Sequence, residues 1–263
     1  MREKLKPRLD DLLENGYDFK FGDYISQSFN ILGKYIGGYI GFILIYMVIT
    51  MIAGSIPIIG PLINVVLGPV LLAGTFVVSH KIHKGEEPEF GNFFEGFQRF
   101  GDIAVPAALT TLIYIAAMIP FGVALFVGLD LLSATDLGME AYMMEMIGSD
   151  FNFPFWSLLL LLPLIYLTVA YIYTFLFVWF YNAEAWEAME ASRKVVTKNW
   201  FIIFIFGIVI WIIVMLGLIG LIIGIFVTLP IAYIAMYVSF ADITNLLKDQ
   251  NDDADELIDH LVS

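Results

Sequence analysis

The side chains best spaced for chemistry in this chain are His80, His83, Glu86 and Glu87, in the run SHKIHKGEE. Histidines at i and i+3 share one face of a helix, and imidazole beside carboxylate is a ligand set that suits Zn²⁺. Two features weigh against a metal. Lys81 and Lys84 are interleaved with the ligands, and spacing fixes no third strong ligand. A polar cap at the end of a membrane helix accounts for the same residues, so no cofactor is expected. The chain has no cysteine, which removes disulfides, thiolate nucleophiles and thiolate metal sites. No Ser-His-Asp order, P-loop or dinucleotide fingerprint stands in a suitable context, because GYIGF and GLIGLIIG lie inside apolar runs. The residues therefore point away from an enzyme.

The elements that must carry these side chains are membrane helices. The 263 residues are 60% hydrophobic and 15% charged, whereas a soluble domain carries about 25% charged residues. Several apolar stretches reach the roughly 20 residues that cross a bilayer. The opening segment, MREKLKPRLDDLLENGYDFKFGDY, has no apolar core and does not read as a cleavable signal peptide, so the first span is expected to act as an uncleaved anchor. A net charge of −13 argues against nucleic acid as a partner, since phosphate binding needs clustered Lys and Arg.

The first apolar run, from Tyr35 to Ser79, is twice the length of one span. At its centre, IPIIGPL sets Pro57 and Pro61 around Gly60. Proline costs about 3 kcal/mol inside a helix. Pro57 is thus expected to end one helix and Pro61 to open the next, with Gly60 supplying the tight turn. A second long run, Trp200 to Ala241, has LGLIGLIIG at its centre, where Gly217, Gly220 and Gly224 mark another turn. The pairs Gly37–Gly41 and Gly220–Gly224 also have the small-xxx-small spacing of close helix packing or a homo-oligomer contact. Six spans follow, near 36–55, 59–79, 103–128, 155–180, 200–218 and 221–241. With that threading all 13 Lys and Arg residues fall on one side, so both termini are expected in the cytoplasm. Residues 1–20 form a cytoplasmic segment, 21–245 the membrane domain with an acidic outer loop at 129–153, and 246–263 an acidic cytoplasmic tail.

No charge lies at the centre of any span, which counts against a proton-coupled pump. The polar groups inside, such as Asn64, Thr50, Thr75 and Thr174, suit helix packing. The chain also repeats itself. SFNILGKY precedes the first pair of spans and SRKVVTKN the last, so that Ser28 matches Ser192 and Lys34 matches Lys198. FGNFFEGFQRF precedes the middle pair, with Phe90, Phe93, Phe94 and Phe97 at helical spacing. Asp23 and Asn92 are the expected N-caps. The fold class is all-α: six transmembrane helices as three hairpins, each behind an interfacial amphipathic helix.

The segments AWEAMEASRKVVTKNWF, TLPIAYIAMYVSFADI and GPVLLAGTFVVSHKIHKGEEPEFGNFFEGF resemble a poorly characterised group of bacterial multi-pass proteins. The group includes the membrane-domain family named after glycerophosphodiester phosphodiesterases and related domains of unknown function. The resemblance spans residues 21–245 and implies a six-helix fold in a bacterial cytoplasmic (inner) membrane. It supplies no catalytic residues, since the namesake's hydrolase is a separate soluble domain. Three function classes follow: a non-enzymatic protein that organises lipid or assists a membrane-protein partner, a permease or exporter component, and an enzyme on lipid or peptide.

Overall fold

Six helices are long and apolar enough to cross a membrane, and they coincide with the apolar runs: Ile36–Gly54, Ile59–His83, Phe90–Val127, Phe155–Tyr181, Trp200–Ile219 and Ile225–Ile243. The computed structural model describes residues 2–128, 140, 144, 154–219 and 224–248, and among these every regular element is helical. Trp200–Ile219 leaves Phe201, Trp211 and Leu216 more than 60% exposed. A helix apolar on all sides with such residues on its surface matches lipid rather than water.

The chain forms two compact units, one of residues 1–109 with 169–263 and one of Thr110–Thr168. The first unit opens with α1 (Arg2–Asn15), whose Leu5 and Leu12 are buried. It is followed by α2 (Phe21–Lys34), α3 (Ile36–Gly54), α4 (Ile59–His83), a 3₁₀ helix (Phe90–Arg99) and the start of α5 (Phe100–Gly128). After the end of α6 (Leu162–Ala170) come α7 (Thr174–Tyr181), α8 (Ala185–Lys198), α9 (Trp200–Ile219) and α10 (Ile225–Ile243). The proline-bearing helices α4 and α10 are the inner pair. Their apolar windows are 56% and 50% buried, against 11–28% for the other spans. They pack on each other, and α10 also packs on α2, α3 and α9.

The second unit holds the later part of α5, the 3₁₀ helix Phe155–Leu161 and most of α6. Pro120, Val123, Ala124, Val127, Trp156 and Leu160 line an apolar hollow of about 520 Å³ there. The segment 129–153, expected as an acidic outer loop, lies outside the described residues apart from Glu140 and Met144, as does the tail from 249 onward.

The turn between α3 and α4 differs from expectation in its detail. Helix α3 ends at Gly54 and α4 begins at Ile59, so Gly60 and Pro61 already lie in the first turn of α4. The residue with positive φ is Ile58, at 65°, and the Ile59 amide donates to the Pro57 carbonyl at 2.7 Å. That is a three-residue γ-turn. Gly60 serves close approach instead, because a Cβ there would meet the Ala53 carbonyl oxygen. Pro61 is tolerated because a first-turn residue needs no amide partner. In the second glycine cluster, Gly220 lies outside the described residues. Gly217 and Gly224 face each other, and a Cβ on Gly217 would meet the Thr228 hydroxyl oxygen.

The leaders also depart from expectation. Asp23 and Asn92 are each the third residue of their helices, in the first turn, and the N-caps are Lys20 and Glu89. The Glu89 amide donates to the Asn92 side-chain oxygen at 2.7 Å, half of a capping box. The Phe90–Arg99 leader is 3₁₀ rather than α and runs straight into α5. Three residues per turn set Phe90, Phe93, Gly96 and Arg99 in line. Buried Phe93 stacks on Phe42 with ring centroids 4.6 Å apart. A Cβ on Gly96 would meet the Val70 carbonyl oxygen, and one on Gly74 the Phe93 carbonyl oxygen. The leader's backbone therefore lies directly on that of α4, at two glycines.

Candidate functional site

Each leader ends on a basic residue just before an apolar helix starts: Lys34 in α2, Arg99 in the 3₁₀ helix and Lys198 in α8. The first and last of these corners are alike in backbone. Tyr35 has φ −144° and ψ 40°, and Asn199 has φ −128° and ψ 37°. Each donates its amide to the carbonyl three residues back, at 3.1 Å, and each carbonyl accepts the amide four residues on. Lys34 and Lys198 thus occupy equivalent, exposed positions at a bend. Arg99 differs, because Phe100 (φ −50°, ψ −49°) continues the helix without a bend. The second helix of each pair ends on a left-handed residue: Gly85 after α4, Asn182 after α7 and Asn245 after α10, with φ of 81°, 53° and 50°.

Ser28 and Ser192, matched in sequence, are both fully buried but do different things. Ser28 Oγ donates to the Tyr24 carbonyl of its own helix at 2.6 Å. Ser192 reaches into the break between α6 and α7. Its hydroxyl donates to the Ala170 carbonyl at 2.7 Å and accepts the Tyr173 amide at 3.1 Å. A helix interruption frees backbone groups that need partners, and Ser192 supplies both.

His80 and His83 lie on one face of α4, as their spacing predicts, and both point at one phenol. Tyr237 Oη is 2.9 Å from His80 Nδ1 and 3.3 Å from His83 Nδ1. The ring of Phe180 lies 4.8 Å from that of His80. A phenol has one proton to give and lone pairs to accept with, so it can donate to one imidazole and accept from the other. Glu86 turns instead to Lys84, at 3.0 Å, and this bond holds its carboxyl below the ordinary value. Glu87 is exposed. Among the described residues no group of three His, Asp or Glu side chains is placed to hold a metal ion. The histidines thus tie α4 to α10 by polar contacts.

Beside them, Asp242 receives Lys20 Nζ at 3.0 Å and the Tyr24 hydroxyl at 2.8 Å, which fastens α2 to α10. The bond to Asp242 raises the Lys20 pKa. Burial raises that of Tyr24, so the phenol stays a donor. Hydroxyl pairs continue inward. Tyr39 meets Ser79 at 2.8 Å, and Tyr173 donates to Ser239 at 2.9 Å. Asn64 donates to the Thr50 carbonyl at 3.0 Å, which joins α3 to α4.

Arg99 is the most elaborately held cation among these groups. Its Nε–H donates to Asp102 at 3.0 Å and Nη1–H to the Trp179 carbonyl at 2.9 Å. Its guanidinium carbon lies 5.4 Å from the centre of the Trp179 ring, at stacking distance. It opens onto a concavity of about 480 Å³ that Asp102, Asn182 and Glu184 also line. Sequence reasoning used Arg99 only as a topology marker. The available signal was the basic residue closing all three leaders. Tyr237 carried no signal, since nothing in one sequence pairs it with residues 157 and 154 positions away. No protein-family model, curated protein or solved structure matches this chain.

Proposed function

We propose that this chain is a non-enzymatic integral membrane protein that engages phospholipid headgroups along one face of the bilayer. The observation that carries this is the common ending of the three leaders, with Lys34, Arg99 and Lys198 each at the mouth of an apolar helix. A cation at that depth meets the phosphate layer, where leaders with an aromatic face lie in the headgroup boundary. In this reading the chain is three repeats of leader plus helical hairpin, entering from the same side. The matched corners at Tyr35 and Asn199 and the left-handed exits at Gly85, Asn182 and Asn245 support it. The Lys and Arg residues, all on one side in the six-span threading, support a cytoplasmic location for that face and for both termini under the positive-inside rule. The resemblance carried by residues 21–245 agrees with this location.

Native mass spectrometry of the full chain, extracted in discs of its own membrane, tests the reading. At least one phospholipid is expected to stay bound in fixed stoichiometry, at a headgroup ratio unlike that of the bulk lipid. A bare protein, or lipid retained in the bulk ratio, would contradict it.

A further inference from the structure

The bend between α8 and α9 lines another concavity, of about 560 Å³, together with the short segment ahead of α2. Lys198 belongs to the bend and Asp18 to the segment. Both are exposed, and among the described residues neither side chain makes an ion pair or a hydrogen bond. Asp18 acts on Lys20 only through space, because the Lys20 ammonium is bonded to Asp242 at 3.0 Å. Opposite charges thus share one concavity without pairing.

The backbone that carries each charge is pinned on both sides. Before Asp18, the Tyr17 hydroxyl donates to the Val195 carbonyl at 2.9 Å, and the Tyr17 carbonyl accepts the Asn199 side-chain amide at 3.0 Å. After it, Phe19 is buried, with its ring 4.9 Å from that of Tyr24 and 5.2 Å from that of Phe206. Lys198 stands between that same Asn199 and Thr197, whose hydroxyl donates to the Arg193 carbonyl at 2.6 Å. A frame fixed in advance lowers the cost of ordering it around a ligand. The rest of the lining turns apolar. Phe201 and Ile202, in the first turn of α9, are 68% and 40% exposed. They bring the acyl region next to the two charges, so the ligand comes with acyl chains attached.

A ligand matching this lining carries both signs of charge close to an apolar part. A lone phosphate, or a headgroup that is only anionic, would answer Lys198 and meet repulsion from Asp18. A choline headgroup has both signs, but its nitrogen has no N–H to give. A primary ammonium donates N–H groups to a carboxylate, which is acceptor-only, in charge-assisted hydrogen bonds.

We propose that this concavity binds one phospholipid with a phosphoethanolamine headgroup, its phosphate on Lys198 and its ammonium on Asp18. The proposal rests on the lipid-engaging reading above.

The test is native mass spectrometry of the full chain, delipidated and returned to defined discs. Discs hold phosphatidylethanolamine, phosphatidylcholine or phosphatidylglycerol, and each sample is also exposed to millimolar inorganic phosphate. Wild type is expected to retain one phosphatidylethanolamine about tenfold more than either other lipid. Phosphate is expected not to displace it. Lys198→Gln lowers retention of both phosphatidylethanolamine and phosphatidylcholine about tenfold. Asp18→Asn brings the ethanolamine-to-choline ratio toward one, whereas Asp18→Glu keeps it. Lys34→Gln, at the matching bend, leaves that ratio unchanged. A general loss of packing would not move the ratio in this pattern.

Equal retention of the ethanolamine and choline lipids by wild type overturns the proposal. So does displacement by inorganic phosphate, which would mark a free-phosphate site, or a preference for phosphatidylglycerol. A selected lipid that survives both Lys198→Gln and Asp18→Asn removes this concavity but leaves the lipid-engaging reading standing. A wild-type chain that retains no lipid removes both.

Discussion

At the scale of single residues, two serines that look alike in sequence serve different contacts. Ser192 satisfies a carbonyl and an amide freed by the break between α6 and α7. Ser192→Ala leaves both buried and unpaired, and is expected to cost about 1–3 kcal/mol. Ser28→Ala removes only a bond back to its own helix and is expected to stay within about 1 kcal/mol. Thermal unfolding of the two variants in the same detergent checks the contrast. Lys20 gives a second expectation. Its pKa is raised in the fold by Asp242, so its contribution is complete below the ordinary lysine value of about 10.4 and fades as pH rises through the folded value. The stability gap between wild type and Lys20→Met is therefore expected to close in the alkaline limb. It is small, because the pair is partly exposed, and it narrows with added salt. A gap that widens above pH 10 would show that Asp242 is not the partner that matters.

At the scale of elements, the contact of the Phe90–Arg99 leader on α4 depends on two missing side chains. Gly96→Ala would press a methyl against the Val70 carbonyl oxygen, and Gly74→Ala against that of Phe93. Because the obstacle is backbone on both sides, each is expected to cost about 1–3 kcal/mol, the usual range for overpacking. Gly91→Ala, which meets nothing within 4 Å, is the control and should leave the melting temperature unchanged. The sequence made this leader visible as an aromatic helix but not as 3₁₀. Phe90, Phe93 and Phe97 fit an α-helical stripe, and the rule for 3₁₀ lies in the glycines, which periodicity does not weigh. The prolines of IPIIGPL announced a turn at the right place. They did not show that Ile58 would take the left-handed position, because Gly60 is the residue that propensity favours there and close packing against Ala53 claims it first.

At the scale of the whole molecule, the apolar runs were legible because span length is set by the bilayer and not by partners within the chain. The six spanning helices agree with the runs to within a few residues at most ends. The site was less legible, since its groups are gathered from distant segments. Arg99 meets Trp179, His80 meets Tyr237, and Lys20 meets Asp242, across 80 to 222 positions. Charge bias could place such residues on a side of the membrane but could not pair them.

The central claim is that all three basic leader ends lie on one face of the membrane. The chain has no cysteine, so single substitutions give a labelling assay without background. In the proposed topology, cysteines at Glu14, Gln98 and Thr197 report the leader face, and one at Ser55 the opposite face. In intact cells a membrane-impermeant maleimide is expected to label only Ser55→Cys, with the other three labelled after the membrane is opened. Labelling of any leader position from outside, or protection of Ser55→Cys until the membrane is opened, would contradict the account.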